Sequence, residues 1–244
     1  MKHYVINLDR APERLAETAR LFEGAGLAFE RVPAVDARAL SREELRKACR
    51  PVRFYLANAR RVRTGEIACT LSHRKAWRAA FADGAPAAAV FEDDVAFDAE
   101  GLREHLAAAE RENDPAVPTV WLLHEGLPRP AADPPGRWYG LREARGDVGR
   151  SWCTHAYSLN AAAARRLEAL LSPMATPCDA WSTFARCGVR VLVASRPCAR
   201  TRGEVSLIPR AQNGLWRFRA VQRFYWWRFR LAFRLDLLLR ALGT

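Results

Sequence analysis

The chain has 244 residues, half of them hydrophobic and 27% charged, so it can bury a full core and is neither a collagen-like fibre nor a disordered tail. Its 39 Lys and Arg against 27 Asp and Glu give a formal charge of +12, which invites a nucleic acid or an anionic membrane as partner. Half of that excess is local: residues 215–244 hold seven Arg, one acid (Asp236) and eight aromatic side chains.

The first predicted strand is Tyr4-Val5-Ile6-Asn7-Leu8, followed by helix-start signals at Asp9 and Pro12 and a helical face carrying Leu15, Ala19 and Phe22. Gly24 and Gly26 stop that helix, and residues 27–32 read as a second strand, so the chain opens as a strand, helix, strand unit of α/β type. A loop over 33–40 and a basic stretch at 60–63 precede a helical pattern over 66–81, ended by Gly84 and Pro86. Residues 87–91 form a short apolar strand running directly into Glu92-Asp93-Asp94. A helix over 102–109, a strand over 119–123, a Pro- and Gly-rich loop over 126–149, strands over 154–159 and 189–194 and an Ala-rich helix over 160–171 complete the domain.

The six cysteines include no C-x-x-C pair and match no zinc-finger spacing, so they read as buried, reduced thiols. The N-terminus lacks a signal-peptide apolar core, and no apolar run approaches the roughly 20 residues of a spanning helix. The expected location is the cytoplasm.

Glu92-Asp93-Asp94 is the sharpest chemical feature. Adjacent acids repel unless a cation lies among them, and the carboxyl end of a strand is where open α/β sheets bind ligands. In extended geometry Glu92 and Asp94 point to one side and can share a hard divalent cation that neutralises a diphosphate. The alternative is a solvated turn with Asp94 capping the next helix. Ser72-His73-Arg74-Lys75-Ala76-Trp77 reads as the start of a helix, where Ser72 can contact a phosphate or cap the helix. His73 and Trp77, four apart, share a face and suit the core. Signatures of P-loop, dinucleotide-binding, serine hydrolase and zincin sites are missing.

Three segments together resemble glycosyltransferase family 25: Val5-Ile6-Asn7-Leu8-Asp9-Arg10 with Arg14, Glu66-Ile67-Ala68-Cys69-Thr70-Leu71-Ser72-His73 with Trp77, and Val90-Phe91-Glu92-Asp93-Asp94-Val95. The similarity continues through Thr154-His155-Ala156-Tyr157 and Asp179-Ala180-Trp181 to Ser206-Leu207-Ile208. It implies a GT-A-like mixed-sheet nucleotide-sugar-binding domain over 1–214, with 215–244 a basic, aromatic helical tail. It also implies a UDP-sugar donor, commonly UDP-galactose, and inverting transfer to a hydroxyl of a lipopolysaccharide or other surface glycan. By the same resemblance Glu92 and Asp94 would take the place of the family's acidic metal motif and hold Mn²⁺ or Mg²⁺; His155, where the family often has a different residue, would complete the metal site or orient an acceptor. Asn7, Leu8, Arg10, Arg14, Ser72 and Glu92 would lie at the nucleotide, with Asp93 and Asp179 as catalytic acids. Asp179 is the candidate base on the acceptor, or else a helix N-cap. Arg10 and Arg14 read equally as solvated helix charges. Ala68 and Cys153 stand where the family often has Gly.

In the tail, Arg219, Arg223, Arg230 and Arg234 share a helical stripe suited to anionic lipid at the inner face of the cytoplasmic membrane, or to packing on the domain or in a dimer. A competing class is a non-catalytic basic protein binding membrane or nucleic acid through this tail. The acidic triplet is unexplained by it, and no nucleic-acid partner is expected.

Overall fold

A computed structural model of the chain describes residues 1–126, 136–140 and 153–203. The elements run β1 (Lys2–Asn7), α1 (Pro12–Gly24), β2 (Glu30–Pro33), α2 (Arg42–Ala48), α3 (Pro51–Asn58), α4 (Thr64–Ala80), β3 (Ala87–Glu92), β4 (Val95–Phe97), α5 (Ala99–Arg111) and β5 (Thr119–Gly126). They continue with β6 (Trp138–Gly140), β7 (Ala156–Asn160), α6 (Ala161–Leu170), α7 (Trp181–Arg186), β8 (Arg190–Ala194) and β9 (Ala199–Thr201).

Among the described residues seven strands form one mixed sheet in the order β2-β1-β3-β7-β5-β8-β6, and β4 pairs with β9 apart from it. The β1–β2, β1–β3 and β5–β8 pairs are parallel; β3–β7, β5–β7 and β6–β8 are antiparallel. Strand alternation divides the core into two layers. Tyr4, Ile6, Ala88, Val90, Tyr157 and Leu159 face α4, α6 and α7 on one side. Val5, Ala89, Phe91, Trp121 and Ala156 face Phe22 of α1 and Leu102 and Leu106 of α5 on the other. A sheet covered on both faces explains why β3 reads as an unbroken apolar run.

The α/β expectation and the sequence-predicted elements hold, with boundaries moved by a few residues. Six short elements were not expected. The α2 helix starts at a capping box, Ser41 with Glu44, and α3 starts at Pro51. The expected loop over 126–149 contains β6, because Trp138 buries against His105 edge-to-face and its strand pairs with β8. The remaining three are β4, α7 and β9. Residues 204–244, and with them the tail, the Ser206-Leu207-Ile208 match and the boundary at 214, lie outside the described residues.

Candidate active site

The parallel register of β1 and β3 pairs Ile6 with Glu92, so Asn7 and Asp93 leave the sheet side by side at its carboxyl edge. Asn7 Nδ2 donates to Asp93 Oδ2 at 2.7 Å and to the Ala11 carbonyl at 2.9 Å, which ties the start of α1 to the end of β3. Arg14 Nη1 lies 3.4 Å from Asp93 Oδ1. Thr18 Oγ1 donates to the Asp93 carbonyl at 2.8 Å, and Arg202 donates to the same carbonyl and to that of Val95. Burial raises the Asp93 carboxyl, and Asn7 and Arg14 oppose that rise. Asp93 is 8% exposed with both carboxylate oxygens engaged, so it clamps the β1–β3 junction.

Glu92 turns the opposite way. Thr154 Oγ1 donates to its Oε1 at 2.5 Å, and His73 Nε2 lies 3.5 Å from the same oxygen. Burial alone would raise the Glu92 carboxyl, but the hydrogen bond and charge of His73, joined by Thr154, outweigh it and hold the group at about 2. His73 is itself buried on α4, its Nδ1 2.8 Å from the Tyr157 hydroxyl, which also accepts from Trp77 Nε1 at 2.8 Å. Burial pulls the imidazole down, and its partners Cys69 and Glu92 outweigh that and raise it. The expected core face of His73 and Trp77 is present, and His73 also holds Glu92.

Asp94 occupies the turn between β3 and β4, and its carbonyl accepts from Arg202 N at 2.7 Å. It does not cap the next helix: Asp98 does, accepting from Gly101 N at 2.7 Å. His155 stands opposite Glu92 at the end of the β3–β7 ladder, where its carbonyl accepts from Glu92 N. It is 7% exposed with neither ring nitrogen in a hydrogen bond of normal geometry, and its ring centroid is 4.3 Å from that of His124. Burial lowers the His155 imidazole, so it stays neutral and can act as a ligand.

The expected metal set is only partly assembled. The ligand atoms of Glu92, Asp94 and His155 do not come together within 4.8 Å as a trio; among the described residues Cys69, His73 and Cys178 do. The cause is the inward turn of Glu92 towards Thr154 and His73.

Ser72 lies deep inside α4 rather than at a helix start, accepting from Val35 N at 2.8 Å and donating to the Ala68 carbonyl at 2.8 Å, contacts that anchor the β2 exit. Arg10 Nε pairs with Asp36 Oδ2 at 2.9 Å, and Leu8 follows β1 with its carbonyl accepting from Ala11 N. Asp179 is not an N-cap either: α7 is capped at Ala180, and Asp179 Oδ2 accepts from Cys153 N at 3.1 Å. Burial raises its carboxyl, partly offset by that N–H. Cys153 has φ 106°, so the backbone keeps the left-handed conformation that favours Gly although the side chain is not Gly. Thr154, Thr18 and Arg202 also carry site contacts. Thr154 lies in the Thr154-His155-Ala156-Tyr157 motif, whereas Arg202 has no local signal.

The family profile described as Glycosyltransferase family 25 (LPS biosynthesis protein) matches residues 1–125, more than half of the chain. The chain belongs to glycosyltransferase family 25. A Glycosyltransferase 25 family member of Aedes aegypti is 39% identical over 100 residues, covering 39% of this chain and 16% of that protein. The Lacto-N-neotetraose biosynthesis glycosyltransferase LgtE of Neisseria meningitidis serogroup B is 36% identical over 95 residues, 39% of this chain and 32% of the relative. LgtB of Neisseria gonorrhoeae is 35% identical over 107 residues, 44% and 37% respectively. The chain thus spans well under half the length of the curated relatives it matches. No helix among the described residues is long and apolar enough to cross a membrane.

Proposed function

We propose that the chain is an inverting glycosyltransferase of GT-A-like architecture that moves a sugar, galactose as the favoured donor sugar, from a UDP-sugar to a hydroxyl of a lipopolysaccharide-type glycan. The observation that carries this reading is the convergence of Asn7, Asp93 and Asp94 at the carboxyl ends of the adjacent parallel strands β1 and β3, the edge where open α/β sheets bind nucleotides. Family membership and the naming of LgtE and LgtB as lacto-N-neotetraose biosynthesis enzymes support it.

Asn7 and Leu8 shape the loop against which the nucleotide lies. Arg14, held by Asp93, and Arg10, held by Asp36, supply positive charge beside the diphosphate. Asp94 and His155 would hold Mn²⁺ or Mg²⁺, which when bound supplies Lewis-acid stabilisation of the departing UDP. Glu92, locked by His73 and Thr154, stays anionic and orients the neighbouring groups. Asp179, whose carboxyl is raised by burial, takes the acceptor proton; Glu92, held at about 2, is too weak a base for that step. Residues 215–244, rich in Arg and aromatics, would hold the cytoplasmic enzyme at an anionic membrane surface where a lipid-linked acceptor resides. Purely non-catalytic binding of membrane or nucleic acid has no observation of its own among the described residues.

A donor screen by Mn²⁺-dependent UDP release, with a truncated lipooligosaccharide as acceptor, tests the reading. Galactose transfer is the expected result; release of UDP without a glycan product would make the chain a nucleotide-sugar hydrolase instead.

A further inference from the structure

Beneath the candidate active site lies a cluster that the proposed transfer does not use. Cys69 and His73 are four residues apart on α4 and so share one face, and Cys178 reaches that face from the segment before α7. One ligand atom from each of the three lies within 4.8 Å of the other two. We propose that Cys69, His73 and Cys178 form a zinc site, with a water as the fourth ligand.

The spacing matches the ion. Two thiolates bound to one zinc at about 2.3 Å each in a tetrahedron stand about 3.8 Å apart. Cys69 Sγ and Cys178 Sγ are 3.6 Å apart, and a His73 ring nitrogen lies within 4.8 Å of both. The supporting partners also fit. Liganding histidines usually donate their second ring N–H to a fixed acceptor, and His73 Nδ1 meets the Tyr157 hydroxyl at 2.8 Å, itself fixed by Trp77 Nε1.

The charge is accounted for. Zn²⁺ enters as the two thiol protons and the proton on His73 leave, so the two thiolates match the ion and the single negative charge of Glu92 remains beside it. Sulfur ligands with one imidazole select zinc over the hard ions suited to Asp94. Cys69 is the partly exposed member of the cluster and marks its entry side, whereas His73 and Cys178 are buried. The ion would tie α4 to the segment carrying Asp179. This inference is independent of the donor and acceptor assigned above.

The test uses the reduced full chain, stripped with a chelator and then given Zn²⁺ or Co²⁺, with bound metal counted after desalting. The expected result is one zinc per chain, and with Co²⁺ a sulfur-to-metal charge-transfer band with the intense visible absorption of tetrahedral cobalt. Cys178→Ser should lower zinc affinity by more than about tenfold and weaken the charge-transfer band, and Tyr157→Phe should lower affinity about tenfold with the band retained. Cys187→Ser should leave both unchanged. Absence of the charge-transfer band in the folded wild-type chain overturns the proposal without reference to any variant. So does a count of four thiols rather than six in the chain as purified under native conditions, which would identify the pair as a disulfide.

Discussion

Asn7 and Asp93 are 86 residues apart in sequence and joined by a 2.7 Å side-chain hydrogen bond at the edge of the sheet. The same amide donates to the Ala11 carbonyl, so one buried Asn fixes the loop after β1, the start of α1 and the end of β3 together. Asn7→Ala should therefore cost about 2–3 kcal/mol, because it leaves a buried carboxylate short of a donor. Asn7→Asp should cost more by setting two carboxylates against each other. Denaturant unfolding monitored through the tryptophans checks both, and a loss below about 0.5 kcal/mol for Asn7→Ala would show that the pair does not hold the junction.

Tyr157 joins Trp77 and His73 through one hydroxyl. Tyr157→Phe leaves the Trp77 indole N–H and the His73 Nδ1 without that partner in a buried place, at about 1–3 kcal/mol for each stranded group. The expected loss is about 2–4 kcal/mol, and Trp77→Phe introduced alongside should cost less than it does alone. Strict additivity in this double-mutant cycle would contradict the shared network.

Cys153 holds φ 106° because its N–H donates to Asp179 and its carbonyl accepts from Trp181 Nε1 at 2.8 Å. A non-glycine residue in that region stores roughly 1–3 kcal/mol, while Gly loses roughly 0.5–1 kcal/mol more backbone entropy on folding. Cys153→Gly should thus stabilise the fold by about 1 kcal/mol, and Cys153→Val should destabilise it. A lower urea midpoint for the Gly variant would contradict the strain.

His124 is held neutral: burial, and then the neighbouring His155, push its imidazole down to about 3, while Nδ1 bonds the Ala156 carbonyl at 2.9 Å. A folded value below the unfolded 6.5 means that the unfolded chain binds the extra proton first. The stability that His124 contributes is complete above pH 6.5 and is lost as pH falls towards 3. His124→Gln keeps a donor for Ala156 but has no titration, so wild type should lose stability faster than the variant between pH 6.5 and 4. Parallel pH profiles would show that the ring titrates as it does in the unfolded chain.

Much of the sheet was legible because its strands are buried on both faces and bounded by Gly and Pro. The α2 helix carries a signal too, the S-x-x-E signature of Ser41 and Glu44, but its single capping box at so short a helix is easily lost in a loop. Strand β6 was hidden by its Pro- and Gly-rich surroundings, and only the burial of Trp138 reveals it. At the site, the sequence placed Glu92, Asp93 and Asp94 together but could not divide them. A turn sends three consecutive carboxylates to three different surroundings, Glu92 to His73 and Thr154, Asp93 to Asn7 and Arg14, and Asp94 to the β3–β4 turn. Arg202 reaches Thr18 from 184 positions away, a contact that no local pattern announces.

Calorimetric titration of UDP into the wild-type chain and Asp94→Asn, each with and without Mn²⁺, tests the central claim most directly. The account predicts binding to wild type that strengthens at least tenfold with Mn²⁺, and an Asp94→Asn variant whose weak binding ignores the ion while its unfolding midpoint is unchanged. UDP binding to wild type that is absent, or equally strong without Mn²⁺, would contradict a metal-assisted nucleotide-sugar site at the β1–β3 edge.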